Sequence, residues 1–227
     1  MNIVILLLAG KSERFNKEEF KQFIKVKDKL LFEYSLDTFN THKDVDGILL
    51  VTLCDKIDYV KDVIKDKYEK VIDVIAGGSE RQSSILNAIN YLKEKNIHGD
   101  DNLLIHDSAR PLISEEVISN CLCGLKEFDS VIPVVKVYDT VSIVKDNKVN
   151  NLLDRQYMYV HQTPQCFKFN LIYKAHQDAV NNKMYDKTDD VSLIMNEGKE
   201  VHVVEGSPFN FKITTPMDLA HFASLLD

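Results

Sequence analysis

Residues 2–8, NIVILLL, form a continuous apolar run of strand length, and residues 9–16, AGKSERFN, follow it as a polar loop. A strand that is apolar on both faces is typical of a parallel sheet covered by helices on both sides. Ligands bind beyond the carboxyl ends of such strands. The loop that begins at Ala9 is therefore predicted to lie at a ligand-binding edge.

Apolar runs of strand length then alternate with segments in which apolar residues recur at helical spacing. The predicted strands are 47–53, 71–76, 102–106 and 130–135, and the predicted helices are 30–39, 56–68, one that follows Gly78 and one that opens at Ser114. This alternation predicts right-handed βαβ units, and hence an α/β fold with a mostly parallel sheet and helices on both faces. Ser79 is predicted to cap the third helix, with Gln82 as its capping-box partner.

The pattern changes after residue 135. Residues 136–160 are polar and strand-like around an Asp146-Asn147 turn, which predicts a protruding β-hairpin arm. Such an arm buries little against itself, so we expect it to pack on a second subunit. Beyond it, helices are predicted at 169–180 and 189–196, strands at 200–204 and 209–213, and a last helix capped by Thr215. The chain is expected to be one domain, 1–227, that includes the arm.

Composition excludes several classes of function. The 227 residues include 28 Lys and Arg against 35 Asp and Glu, a net charge of −7, which argues against nucleic-acid binding. No apolar run approaches the roughly 20 residues of a membrane helix, so no membrane association is expected and a cytoplasmic location is predicted. None of the four cysteines forms a C-x-x-C pair, so free thiols are expected rather than a zinc site.

Two glycine-containing loops follow predicted strands. In the first, 8–15, LAGKSERF, small residues let the backbone approach a phosphate, and Arg14 and Lys21 add positive charge. Its spacing is neither G-x-G-x-x-G nor that of a P-loop, so a nicotinamide dehydrogenase is disfavoured. The second, 77–84, GGSERQSS, combines two glycines with a helix start, which suits a flat base or a phosphate.

A third motif, HDSARP, covers residues 106–111. Asp107 at the end of a buried strand is placed to hold Mg²⁺ together with substrate phosphates, and Arg110 to bind a further phosphate. His106 is interpreted as a packed, hydrogen-bonded core residue. Lys212 interrupts an otherwise apolar segment, so we expect an anion beside it.

Together these pieces resemble the 2-C-methyl-D-erythritol 4-phosphate cytidylyltransferase family. The resemblance runs from Ile3 to about Leu219, and its order and spacing are specific. Its pieces are LAGKSER, KQF, GGSERQSS, HDSARP, the pair Asp139-Thr140, QTPQCF at 162–167, TDD at 188–190 and FKITTPMDL at 211–219.

The resemblance implies a Rossmann-like sheet of the nucleotidyltransferase (GT-A-like) type. It also implies transfer of CMP from CTP to methylerythritol phosphate, with Mg²⁺ as cofactor and a homodimer joined through the 136–160 arm. The implied catalytic residues are Arg14, Lys21, Arg155 and Lys212. The implied nucleotide-binding residues are Leu8, Ala9, Gly10, Gly78, Ser79, Ser84 and Ser108. The implied substrate-binding residues are Asp107, which also holds the metal, Arg110, Thr140, Thr163 and Thr188.

The chain departs from the family pattern at several positions, none of them a charged catalytic one. These are Leu8, Ser12, Phe20, Ser79 and Ser108, which bear on rate and nucleotide selectivity. Two other functions stay open on sequence alone. One is a ribitol-5-phosphate cytidylyltransferase that makes CDP-ribitol for wall polymers. The other is a non-catalytic nucleotide-binding module on the same fold.

Overall fold

The computed structural model describes residues 1–10, 15, 20–184 and 189–226, which form twelve β-strands and seven α-helices. The strands are β1 (Asn2–Leu7), β2 (Lys25–Val26), β3 (Lys29–Leu30), β4 (Gly47–Thr52), β5 (Val71–Ala76), β6 (Asn102–Asp107), β7 (Ser130–Lys136), β8 (Ser142–Lys145), β9 (Lys148–Leu152), β10 (Tyr159–His161), β11 (Gln165–Lys168) and β12 (His202–Glu205). The helices are α1 (Leu31–Thr41), α2 (Ile57–Ile64), α3 (Arg81–Glu94), α4 (Glu115–Gly124), α5 (Phe169–Asn181), α6 (Asp190–Asn196) and α7 (Pro216–Ser224). None of these helices is long and apolar enough to cross a membrane.

Eight strands form the central sheet, in the order β10-β7-β11-β6-β1-β4-β5, with β12 also paired to β7. β1 runs parallel to β4 and β6, and β4 runs parallel to β5. The mostly parallel sheet predicted from the sequence is confirmed. The two short strands β10 and β11 were not predicted, and β11 lies antiparallel between β6 and β7.

Side chains of β1 alternate between two buried clusters, one on each face of the sheet. Val4 and Leu6 pack with helices α1, α2 and α4, whereas Ile3 and Ile5 pack with helices α3, α5 and α6. Because successive strand residues point to opposite faces, a run that is apolar throughout requires helices on both sides. The layer arrangement predicted from residues 2–8 is therefore correct.

The structure corrects three local predictions. Helix α3 is capped by Glu80 with Ser83 as its box partner, not by Ser79 with Gln82, so the helix begins one residue later than expected. Helix α2 ends at Ile64, short of the predicted residue 68. Residues 209–213 are not a strand, because a turn at 207–210 leads into an irregular segment.

The last helix begins as predicted. Thr215 caps α7 and accepts a hydrogen bond from the Asp218 amide, and Pro216 stands in the first turn. The helix packs Phe222 against Leu31 and Ile213, which anchors the segment that precedes it.

The predicted hairpin is also present. β8 and β9 pair with each other in a separate two-stranded sheet. Asp146 and Asn147 join them with φ values of 50° and 59°, as a tight hairpin turn requires. Its apolar side chains are exposed, among them Val144, Val149 and Leu152.

Candidate active site

Three loops meet at the carboxyl ends of β1, β5 and β6. Leu7 is registered opposite Asp107 on adjacent parallel strands, so the loop after β1 and the Asp107 motif are neighbours. The loop after β5 approaches them through Gly77, where an added Cβ would lie 2.9 Å from the Cβ of Ala9 and 2.7 Å from Ser84 Oγ. A side chain at this position would force the two loops apart.

A buried glutamine, Gln22, holds the first loop in place through hydrogen bonds. Gln22 Nε2 donates to the carbonyl oxygens of Leu8 and Gly10, the second contact being 3.2 Å. Gln22 lies in a single 3-10 turn that begins at Lys21, and Lys21 is half-buried. Arg14, the other predicted cation here, lies outside the described residues.

Ser84 shapes the second loop. Its hydroxyl accepts a hydrogen bond from the Gly78 amide at 3.0 Å and donates to the carbonyl of Glu80 at 2.9 Å. Ser84 is buried, whereas Ser79 is exposed at the tip of the loop. Ser79 and Ser84 are both implied nucleotide-binding residues, and the structure shows that Ser84 holds the loop on which Ser79 is exposed.

Asp107 is the centre of the site. Lys212 Nζ lies 2.6 Å from its Oδ2, and Arg81 Nε lies 3.5 Å from its Oδ1. The carboxylate is 13% exposed, and burial alone would favour its neutral form. The charges of Lys212, Arg81 and Arg110 outweigh burial and lower the pKa of Asp107 well below its usual range. The anion expected beside Lys212 is therefore present, and it is Asp107.

His106 is a fully buried structural residue, as predicted. Its Nε2 donates to the Arg110 carbonyl at 3.1 Å, and its Nδ1 accepts from the hydroxyl of Thr163 at 3.0 Å. Burial lowers the pKa of His106 to about 4, so the ring is neutral near pH 7. The Thr163 hydroxyl oxygen also accepts a hydrogen bond from the Asp107 amide at 3.2 Å, and this bond fixes the end of β6.

The guanidinium group of Arg110 is held by two backbone carbonyl groups. Its Nη1 donates to the carbonyl of Asn210 at 2.8 Å and its Nη2 to that of His161 at 3.3 Å. Its buried Nε has no hydrogen-bond partner within the described residues. Burial lowers the pKa of Arg110, while Asp107 acts in the opposite direction.

The QTPQ motif ties two distant segments to the site. Gln162 Nε2 donates to the carbonyls of Ser207 at 2.8 Å and Asn210 at 3.2 Å, which positions the segment that carries Lys212. Gln165 Oε1 accepts the amide of Asp190 at 3.2 Å, which positions the start of α6. The two glutamines therefore act as structural anchors.

Three functional candidates were not singled out from the sequence: Arg81, Asp190 and His176. Arg81 Nη1 donates to Asp190 Oδ2 at 2.6 Å, and His176 Nε2 donates to Asp190 Oδ1 at 3.0 Å. Arg81 and Asp190 belong to the GGSERQSS and TDD pieces, so the motifs marked them, but no local pattern pairs residues 109 positions apart.

Two of the remaining predicted residues, Thr140 and Arg155, are not brought to Asp107 within this chain. Thr140 and Arg155 are exposed on the arm, where Arg155 Nη1 donates to the carbonyl of Tyr138 at 3.2 Å. Ser108 is buried, and its amide donates to the Leu7 carbonyl at 3.1 Å. Thr188 lies outside the described residues.

The donor set at Asp107 suits a metal that arrives with its substrate. Among the described residues, no three or more His, Cys, Asp or Glu side chains are grouped to hold a metal ion by themselves. Mg²⁺ is commonly bound by one or two carboxylates together with substrate phosphates and water. One ionised, partly accessible carboxylate fits that requirement.

Comparison with known proteins gives the family. The model of the 2-C-methyl-D-erythritol 4-phosphate cytidylyltransferase family matches residues 2–227. A curated protein of that name from Clostridium botulinum (strain 657 / Type Ba4) is 40% identical over 96% of this chain and 94% of its own. One from Thermosipho melanesiensis is 37% identical over 96% and 95%.

A solved structure supports the same family assignment. The crystal structure of 4-diphosphocytidyl-2C-methyl-D-erythritol synthase from Anaerococcus prevotii superimposes with a TM-score of 0.85. It is 28% identical, and the match covers 99% of this chain and 95% of that one.

Proposed function

The chain belongs to the 2-C-methyl-D-erythritol 4-phosphate cytidylyltransferase family, and we propose that the Asp107 cluster is where it transfers CMP from CTP to methylerythritol phosphate. The family match favours this acceptor over ribitol phosphate, and it favours an enzyme over a binding module. The observation that carries the proposal is the close Asp107–Lys212 pair between two loops suited to a nucleotide.

In the proposed reaction, a phosphate oxygen of the acceptor attacks the α-phosphorus of CTP. The new phosphorus–oxygen bond forms as the bond to the bridging oxygen of pyrophosphate breaks. The attacking phosphate is already ionised near neutral pH, so little proton transfer is needed. The protein must instead bring two polyanions together and stabilise the charge that accumulates between them.

Lys212 is placed to supply part of that charge. Its ammonium group pairs with Asp107, and its side chain as a whole is 38% exposed, which leaves it accessible to a substrate phosphate. Arg110 is held by backbone carbonyls, and its buried Nε lacks a partner within the described residues, which supports a role in binding a substrate phosphate. Lys21 is proposed to act from the first loop.

The glycine loops are proposed to bind CTP. Backbone donors around Gly10 would face the phosphates, and the loop of Gly78 and Ser79 would hold the base. Asp107 is the residue proposed to hold Mg²⁺. When bound, the metal supplies positive charge to the phosphate oxygens.

The arm supports the proposal of a homodimer. Tyr138, Val149 and Tyr157 are among its exposed large side chains, and β8 and β9 pair only with each other within the described residues. An exposed apolar surface of this kind favours a protein partner. We propose that a second copy of the chain covers it, and that Thr140 and Arg155 complete the partner's site.

Release of pyrophosphate by the purified protein tests this function. CTP and Mg²⁺ are supplied with methylerythritol phosphate in one series and with ribitol 5-phosphate in a parallel one. Turnover is expected with methylerythritol phosphate, and Lys212→Gln is expected to lower it about 10²–10³-fold, by analogy with the loss of an oxyanion donor. Lys199→Gln, at an exposed lysine, is the matched control. Turnover with ribitol 5-phosphate alone, or with neither acceptor, would overturn the proposal.

A further inference from the structure

A second buried carboxylate, Asp190, is linked to Asp107 through Arg81. The Asp190 side chain is 2% exposed, and its Oδ2 accepts the 2.6 Å hydrogen bond from Arg81 Nη1. Arg81 therefore spans two carboxylates, since its Nε lies 3.5 Å from Asp107 Oδ1. The two contacts are unequal, and the shorter one belongs to Asp190.

The charges of this cluster alternate along a chain of contacts. Asp190 is followed by Arg81, then Asp107, then Lys212, so that two negative and two positive groups balance. Burial disfavours the ionised form of Asp190, but Arg81 and His176 outweigh it and lower the pKa of Asp190. Asp190 is thus ionised, and it competes with Asp107 for the guanidinium group.

Asp190 is itself held on two further sides. His176, on α5, is fully buried and donates its Nε2 hydrogen to Asp190 Oδ1 at 3.0 Å. The other ring nitrogen, Nδ1, has no hydrogen-bond partner in the part of the chain that the structure describes. Within that part, the ring therefore hydrogen-bonds to Asp190. Gln165, on β11, accepts the Asp190 amide. The carboxylate therefore has a fixed orientation toward Arg81.

We propose that Asp190, supported by His176, is a positioning residue that draws the guanidinium of Arg81 away from Asp107. An arginine that is not held elsewhere tends to bind a carboxylate through two parallel hydrogen bonds. Such a pair would occupy the oxygens of Asp107 that substrate and Mg²⁺ are proposed to use. The inference rests on the proposed function, because it assumes that Asp107 and Lys212 act on the reacting phosphates.

The inference predicts suppression of one substitution by another. Asp190→Asn removes the charge that holds Arg81, so the guanidinium turns to Asp107, and we expect kcat/KM to fall about tenfold or more. Adding Arg81→Gln removes the competing guanidinium and restores the charge balance. The double variant is expected to be at least about threefold more active than Asp190→Asn alone.

Activity is measured per folded molecule, below the thermal unfolding transition of each variant, so that stability does not enter the result. Glu33→Gln is the matched control. It neutralises another buried carboxylate, whose partners Leu30, Lys67 and Tyr68 lie outside the cluster. Its kcat/KM is expected to stay close to that of the wild type.

Substitutions of His176 test the inference if Asp190→Asn does not fold. His176→Leu keeps the charge of Asp190 but removes its donor, and is expected to lower kcat/KM. His176→Gln offers an amide donor in its place and is expected to restore most of it. A loss in His176→Leu that His176→Gln does not restore, or a double variant no more active than Asp190→Asn, would overturn the inference. Wild-type protein without turnover would instead contradict the proposed function.

Discussion

Lys212 Nζ lies 2.6 Å from Asp107 Oδ2, although 105 positions separate the two residues. The segment that carries Lys212 is not a strand, so no ladder of backbone hydrogen bonds fixes it. It is held instead by separate hydrogen bonds: the Ile213 amide donates to the Ala109 carbonyl at 2.8 Å, and Gln162 Nε2 donates to the carbonyls of Ser207 and Asn210. The geometry of the proposed reactive pair therefore depends on a residue that touches neither member of it.

Gln162→Ala is accordingly expected to impair catalysis without removing a charge. Its loss takes the side-chain acceptor from the Ser207 amide and one hydrogen-bond donor from the Asn210 carbonyl, which is expected to lower the free energy of unfolding by about 1–3 kcal/mol. Displacement of Lys212 is expected to lower turnover about 10–100-fold. Urea unfolding and pyrophosphate release measure the two effects. Gln177→Ala, on α5, is the control, and wild-type turnover in Gln162→Ala would contradict the anchoring role.

An added methyl group is expected to affect stability differently in the two glycine loops. Among the described residues, a Cβ on Gly10 would meet no atom within 4 Å, whereas one on Gly78 would lie 2.6 Å from the Cβ of Ser83. Gly10→Ala should therefore change the free energy of unfolding by only about 0.5 kcal/mol. If the space beside Gly10 receives phosphate, the same variant should raise the KM for CTP.

Gly78→Ala should lower both the free energy of unfolding and the affinity for CTP, because its Cβ forces Ser83 to move. Overpacking of this kind costs about 1–3 kcal/mol of stability, and the displaced loop should also raise the KM for CTP. Thermal unfolding and CTP saturation curves measure both variants. An unchanged KM in Gly10→Ala would show that this loop does not contact the nucleotide.

The sequence predicts the sheet well where apolar runs are long. Buried strands such as β1 and β4 must be apolar throughout, so their pattern is distinct. β11 has only four residues, and it follows a proline inside a motif that was interpreted as functional. Residues 209–213 alternate like a strand, but side-chain hydrogen bonds from Gln162 hold this region in another conformation. Local periodicity carries no information about such contacts.

The residues of the site also differ in how far they could be predicted from the sequence. Lys212 could be singled out because it places a charge in an otherwise apolar segment, and Asp107 because it ends a buried strand at the ligand-binding edge. Their pairing could not be predicted, and neither could the role of Asp190, since both depend on how distant segments meet. Ser79 and Glu80 both suit the start of a helix, and only the fold decides that Glu80 caps α3.

The capping box of α7 makes stability depend on pH. Asp218 accepts hydrogen bonds from the amides of Thr214 and Thr215 at 2.8 and 2.7 Å. Although burial acts in the opposite direction, these bonds lower the pKa of Asp218 from 3.8 to about 2. Its contribution is therefore present above pH 3.8 and is lost as the pH falls through about 2.

Asp218→Asn is expected to lower the free energy of unfolding by about 1 kcal/mol at pH 7. The difference from the wild type should shrink as the pH falls below 3.8, because the wild-type carboxylate then becomes protonated. Urea unfolding at several pH values measures this. Asp62→Asn, at an exposed position of α2, is the control. A difference that does not change with pH would contradict the assignment.

The arm gives the last prediction. Val149, on β9, is 65% exposed and Val203, on β12, is 61% exposed, so the two valines are matched in type and exposure. If a second copy covers the arm, Val149→Lys places a charge in the interface, whereas Val203→Lys places one on β12 of the central sheet, outside the arm. Sedimentation velocity is expected to show a dimer for the wild type and Val203→Lys, and a monomer for Val149→Lys. Because Thr140 and Arg155 are proposed to complete the partner's site, the monomer should also lose turnover. A Val149→Lys protein that is monomeric and fully active would show that each chain carries a complete site, and a wild-type monomer would contradict the dimer itself.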